Sequence, residues 1–140
     1  MRVVVDTNVI VSGLLSSKGA PARIVDAVLR GSIVPIMSDA TFAELKDVLS
    51  RPQLQPYFRR AGVSIEAFLV DLARVMEFVT PTSSDAPIRD PKDRPFVELA
   101  ATRPTPDFII TGDKDFASDR YAGVPVISAA AFVASALEQP

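Results

Sequence analysis

At 140 residues with 48% hydrophobic and 23% charged residues, the chain has the composition of an ordinary globular domain, long enough to bury roughly two-thirds of its unfolded surface. It has no cysteine and no histidine, which excludes disulfides, thiolate nucleophiles, Cys/His zinc sites and imidazole acid/base chemistry. The net charge of −2 and pI near 5.1 exclude a globally basic nucleic-acid binder, although a cluster of carboxylates that takes up divalent ions would reverse its local sign.

The chain opens on Arg2 to Val5, a β-branched run that suits a strand covered on both faces and ends at Asp6. Asp6 and Asn8 interrupt the apolar start, so a signal peptide is not expected, and no stretch approaches the roughly 20 apolar residues of a membrane helix. The expectation is a cytoplasmic protein with no membrane segment. Pro21 suits a helical first turn, followed by the stripe Ile24, Val25, Val28, Leu29 and a stop at Gly31. A second strand runs from Ile33 to Met37. Ser38 or Asp39 caps a helix with the stripe Phe42, Leu45, Val48, Leu49, ended by Pro52, and Ser64 caps another carrying Ile65, Phe68, Leu69, Leu72, Val75 and Met76. Phe78 to Thr80 is the third strand, Pro81 to Asp93 a loop, Phe108 to Thr111 the fourth strand and Val124 to Ile127 the fifth. Ser128 caps the last helix, which extends to about Leu137. This alternation predicts βα units around a mainly parallel sheet, in a single domain spanning 1–140 without repeats.

In such a sheet ligands bind beyond the carboxyl ends of the strands, which singles out Asp6 after the first strand and Asp113 after the fourth. Each can instead be a helix cap or an Asx turn. Glu44 lies at the border of an apolar helical stripe, where it can reach a cleft rim or simply be solvated. Asp90 and Asp93 precede the helix of Phe96, Val97, Leu99 and Ala100; either can be its N-cap, and one cap does not account for both.

The fragments VVVDTNVIVSGL, ATFAELKDVL, RDPKDRPFVELA and FIITGDKDF, in this order and spacing, resemble the PIN-domain family, and within it the VapC-like toxin-antitoxin ribonucleases. The resemblance runs from Val3 to about Ile127. It implies a three-layer α/β/α fold with a mainly parallel five-stranded sheet, order 3-2-1-4-5, and a nuclease site in which Asp6, Glu44, Asp93 and Asp113 are the four catalytic, metal-holding carboxylates. By the same resemblance Asp115 matches an accessory acidic ligand, and Asn8 and Thr111 match polar residues that hold the carboxylates in place. Asp90 is either an outer supporting group or the turn before Asp93. It also implies an RNA substrate, single-stranded or structured, a homodimer, and a small antitoxin protein that masks the site.

Elementary electrostatics agrees with that implication. Two carboxylates 4 Å apart repel by about 4 kcal/mol at an effective dielectric near 20, so four that converge need a cation or protons. Hard oxygen ligands suit Mg²⁺ or Mn²⁺, which can bind a phosphate and activate a water without any histidine. Arg51, Arg59, Arg60, Arg89, Lys92, Arg94, Lys114 and Arg120 are candidate phosphate contacts, each also readable as solvated surface. Tyr57, Phe58 and Phe116 can stack on bases, although Phe58 and Phe116 fit the core better.

Three other readings are weighed against this one. A phosphatase with an Asp nucleophile needs a second Asp two residues on, where this chain has Asn8. A receiver domain needs an acidic pair after the first strand and an Asp after the third, where Thr80-Pro81 stands. A non-catalytic PIN-like module that binds RNA or protein is disfavoured by retention of all four acidic positions.

Overall fold

The computed structural model describes residues 1–81, 83, 91–112 and 120–137. Four parallel pairings build the sheet: β1 (Arg2–Val5) between β2 (Val34–Met37) and β4 (Phe108–Thr111), β2 on to β3 (Glu77–Phe78), and β4 on to β6 (Val124–Ser128). β5 (Arg120–Tyr121) adds an antiparallel edge strand, giving the order β3-β2-β1-β4-β6-β5. The expected order of five is therefore present, with one short strand added. β5 escapes a sequence reading because it is two residues long and joins β6 through Ala122 and Gly123, both at positive φ (53° and 82°). That turn usually carries Asn or Asp before Gly. β3 is also earlier and shorter than the Phe78 to Thr80 expected.

Side chains alternate across the strands with period two. Val3 and Val5 join a core with residues of α1 (Thr7–Leu15), α2 (Ala20–Leu29), α3 (Asp39–Leu49), α4 (Gln55–Ala61), α5 (Ile65–Val75) and α7 (Ala129–Phe132). Val4, Ile36 and Ile109 face the other way, onto Phe96, Val97, Leu99 and Ala100 of α6 (Arg94–Ala100). Both faces are covered, which is why β1 and β4 read as unbroken apolar runs.

Three helices start where a serine was expected to cap them. Ser38, Ser64 and Ser128 accept hydrogen bonds from the backbone N–H of Thr41, Ala67 and Ala131 at 3.2, 3.2 and 3.1 Å. α7 widens after Phe132 into a π-type turn over Val133–Leu137. Proline opens α2 as anticipated. The end of the expected Pro81 to Asp93 loop is ordered as a 3-10 turn, Pro91–Asp93, leading directly into α6. Among the described residues no helix is long and apolar enough to cross a membrane.

Strand order changes direction at β1: the chain moves from β1 through β2 to β3 on one side, then returns to the other side of β1 as β4. The crevice beyond the carboxyl ends of β1 and β4 is thus the switch point at which ligands bind in open parallel sheets.

Candidate functional site

Asp6 is the first residue past β1, and its backbone serves strand and helix at once. Its N–H donates to the carbonyl of Ile110 at 2.9 Å, extending the pairing with β4, while its own carbonyl accepts from Val9 at 3.0 Å and starts α1. The side chain stands at the N-cap position yet makes no capping hydrogen bond. It is 7% exposed, and its Oδ2 accepts a hydrogen bond from the hydroxyl of Thr111 at 2.9 Å. Thr111 is the last residue of β4, and parallel register brings the ends of β1 and β4 level, with Val5 opposite Ile110.

Glu44 sits in the middle of α3. The start of that helix is held by a reciprocal box in which Ser38 Oγ accepts from Thr41 N–H and Thr41 Oγ1 accepts from Ser38 N–H at 2.9 Å. Ser38 and Thr41 are both buried, so the box fixes the position of α3 on the sheet as well as closing its first turn. From there Glu44 reaches α1, where its Oε2 accepts from Thr7 Oγ1 at 2.8 Å. Thr7 directly follows Asp6, and the pair Asp6-Thr7 thereby joins the end of β4 to the middle of α3. Sequence reasoning missed Thr7. Its signal is a hydroxyl one residue past a strand-end carboxylate, at the first position of a helix.

Asp93 ends the 3-10 turn and holds the N-cap position of α6 with helical backbone angles (φ −81°, ψ −12°) and no capping bond from its side chain. It is 8% exposed, with Oδ2 buried. α6 packs against both β1 and α3, the elements that lead to Asp6 and carry Glu44.

The cap explanation fails for both aspartates. Both are buried, and neither side chain makes the capping bond that would ordinarily explain an Asp at a helix start. Serines do that work elsewhere in the fold. The carboxylate oxygens of Asp6 and Asp93 are hard donors of the kind a divalent cation of the Mg²⁺ type takes.

Asn8 is exposed and lines an open groove of about 390 Å³ with Ser12, Pro21, Gly112 and Ala129. Asn8 and Gly112 follow β1 and β4, so the groove adjoins the same sheet edge. Asp90, Asp113 and Asp115 lie outside the described residues, as do Arg89, Lys114, Phe116 and the side chain of Lys92. Among the described residues no three acidic side chains close into a metal-binding group. Of the expected aromatic contacts, Phe58 is core, at 1% exposed, whereas Tyr57 is on the surface.

The profile of the PIN domain family matches residues 2–115. Over 120 residues the chain is 31% identical to an uncharacterized protein of Methanocaldococcus jannaschii, an alignment covering 86% of this chain and 76% of that one. No solved structure matches the chain.

Proposed function

Because the chain belongs to the PIN domain family, whose members are generally metal-dependent nucleases, we propose that it is a Mg²⁺- or Mn²⁺-dependent endoribonuclease, a single catalytic domain acting in the cytoplasm. The observation that carries this reading is the pair of buried aspartates, Asp6 and Asp93, each at a helix start that its side chain does not cap. Asp6, Glu44, Asp93 and Asp113 would hold the ion, with Asp115 as an accessory ligand, and Asp90 stands either beside them or in the turn alone. Thr111 orients Asp6, Thr7 orients Glu44, and Asn8 is a further supporting residue at the same sheet edge.

When bound, the ion supplies positive charge at the scissile phosphate, a more acidic water for attack and a partner for the leaving oxygen. The protein's own contribution is preorganisation. The hydroxyl of Thr111 keeps one oxygen of Asp6 occupied and so limits its rotation, and that of Thr7 restrains Glu44.

A toxin role, with a small antitoxin protein covering the site and a homodimer as the working unit, is the finer part of this proposal. Its support is the likeness of the four acidic motifs to the VapC-like branch. The deciding experiment measures cleavage of defined RNA and DNA strands with and without Mg²⁺ or Mn²⁺. Metal-dependent RNA cleavage that Asp6→Asn abolishes supports the enzyme. RNA binding without cleavage at any metal concentration would replace it with a non-catalytic binding module.

A further inference from the structure

The acidic crevice repels the phosphates it must receive until an ion is bound, so a substrate needs a grip elsewhere. From Val48 to Ile65 the chain has three arginines, Arg51, Arg59 and Arg60, and no acidic residue, although the whole protein carries net charge −2. This is the segment that forms α4. It opens at Pro52–Leu54 as a 3-10 turn, and Gln55 Nε2 donates to the carbonyls of Leu49 and Arg51 at 2.9 and 3.0 Å, locking α4 to the end of α3. Phe58, 1% exposed, anchors the helix in the core, and α4 packs on α1.

With that anchor turned inward, the neighbouring Tyr57 is turned out and 53% exposed, and the guanidinium of Arg60 lies over its ring at 5.4 Å from the centroid. Arg59 is exposed as well, about 100° round the helix from Arg60. An outward aromatic ring backed by a guanidinium, on a helix with a second arginine in a stretch of chain free of acidic residues from Val48 to Ile65, has the elements of a stacking platform for an unpaired base with phosphate contacts at its side. Leu49 lies five positions beyond Glu44 in α3, about 7.5 Å along the helix axis, and the Gln55 bond to Leu49 ties the start of α4 to that point. A few nucleotides of single strand span that distance.

We propose that the Tyr57–Arg60 face of α4, with Arg59, binds single-stranded RNA and holds it while a neighbouring phosphodiester lies in the acidic crevice. This inference rests on the ribonuclease reading and adds to it a location for substrate binding away from the metal.

Binding of fluorescein-labelled oligouridylate and oligoadenylate is measured by anisotropy in EDTA, where cleavage is suppressed. Tyr57→Ala is expected to weaken binding at least about fivefold, and Tyr57→Phe to leave it within twofold of the parent. Arg59→Ala and Arg60→Ala should each lower the slope of log K against log salt by about 0.7. A direct signature is available because the chain has two tyrosines and no tryptophan, and Tyr121 is 2% exposed. RNA should therefore quench tyrosine fluorescence in the parent and not in Tyr57→Phe.

The substituted side chains are on the surface, so folding is not at stake, and circular dichroism checks it. If the parent binds RNA and Tyr57→Ala and Arg60→Ala bind equally well, the platform is refuted while metal-dependent cleavage still stands. If the same substitutions change sedimentation instead of RNA affinity, α4 is a protein interface and the proposal fails. If the parent neither binds nor cleaves RNA, the platform and the ribonuclease reading fall together.

Discussion

Thr111 Oγ1 donates to Asp6 Oδ2 at 2.9 Å, across 105 positions of sequence, with both side chains under 10% exposed. The bond links the ends of two adjacent parallel strands and fixes one oxygen of a buried carboxylate. Thr111→Val keeps the shape and removes the donor. We expect urea unfolding of the metal-free protein to show a loss of about 1–3 kcal/mol, and Mg²⁺ affinity to fall about 10–100-fold. Unchanged affinity would mean that Asp6 is held in place by other contacts.

Asp6→Asn separates charge from shape, since an amide oxygen can still accept from Thr111. In the parent, Mg²⁺ at a hundred times its Kd should add about 2.7 kcal/mol to stability. In Asp6→Asn that gain and the cleavage should both vanish, while the metal-free fold is as stable as the parent or more so, because repulsion among the carboxylates is relieved. Thermal melts with and without the ion read both effects. A metal-induced shift that survives the substitution would remove Asp6 from the ligand set.

The Thr7–Glu44 bond makes a graded prediction. Glu44→Gln retains the acceptor and loses the charge, whereas Thr7→Val retains the charge and loses the restraint. Glu44→Gln should therefore cost more activity, with Thr7→Val weakening metal binding by about tenfold and Thr7→Ser restoring it. Single-turnover cleavage across a Mg²⁺ titration distinguishes weaker metal binding from slower chemistry. The reverse order of severity would assign Glu44 a purely mechanical part.

Away from the acidic residues, Gly13 tests the packing that positions α1. A Cβ there would lie 2.5 Å from the carbonyl oxygen of Pro21 and 2.5 Å from Cγ2 of Val25. The first of these is backbone and cannot rotate away, so α1 and α2 would have to part. Gly13→Ala should cost about 1–3 kcal/mol in urea unfolding despite the better helix propensity of alanine. A neutral result would show that the two helices slide freely.

Much of this arrangement is legible in residue order because the responsible forces are local. Ser38, Ser64 and Ser128 announce helix starts through capping chemistry, and the runs at Val3, Ile109 and Val126 announce strands because both faces of the sheet are covered. α1 is harder. Thr7, Val9, Ile10, Val11 and Leu14 are all buried, so its sequence lacks the clean apolar stripe of a surface helix. α4 is hidden by Pro52 and Pro56, which read as breakers yet sit in first turns, where proline is tolerated.

The site divides in the same way. That Asp6 stands just past a strand is read from residue order alone. That Asp6 and Asp93 decline to cap their helices, or that Thr7 bonds Glu44, depends on how distant elements pack, and no window of neighbouring residues encodes it. Of the four acidic positions expected to converge, Asp6, Glu44 and Asp93 are described and do not form a three-carboxylate metal-binding group, while Asp113 lies outside the described residues.

The pairing of β1 with β4 also bears on protein synthesis. Val5 and Asp6 leave the ribosome some hundred residues before Ile110 and Thr111, the groups that receive them. A nascent chain halted before β4 has β1 as an unprotected edge and Asp6 without the Thr111 hydroxyl, so the Asp6–Thr111 clasp belongs only to a polypeptide translated past that strand.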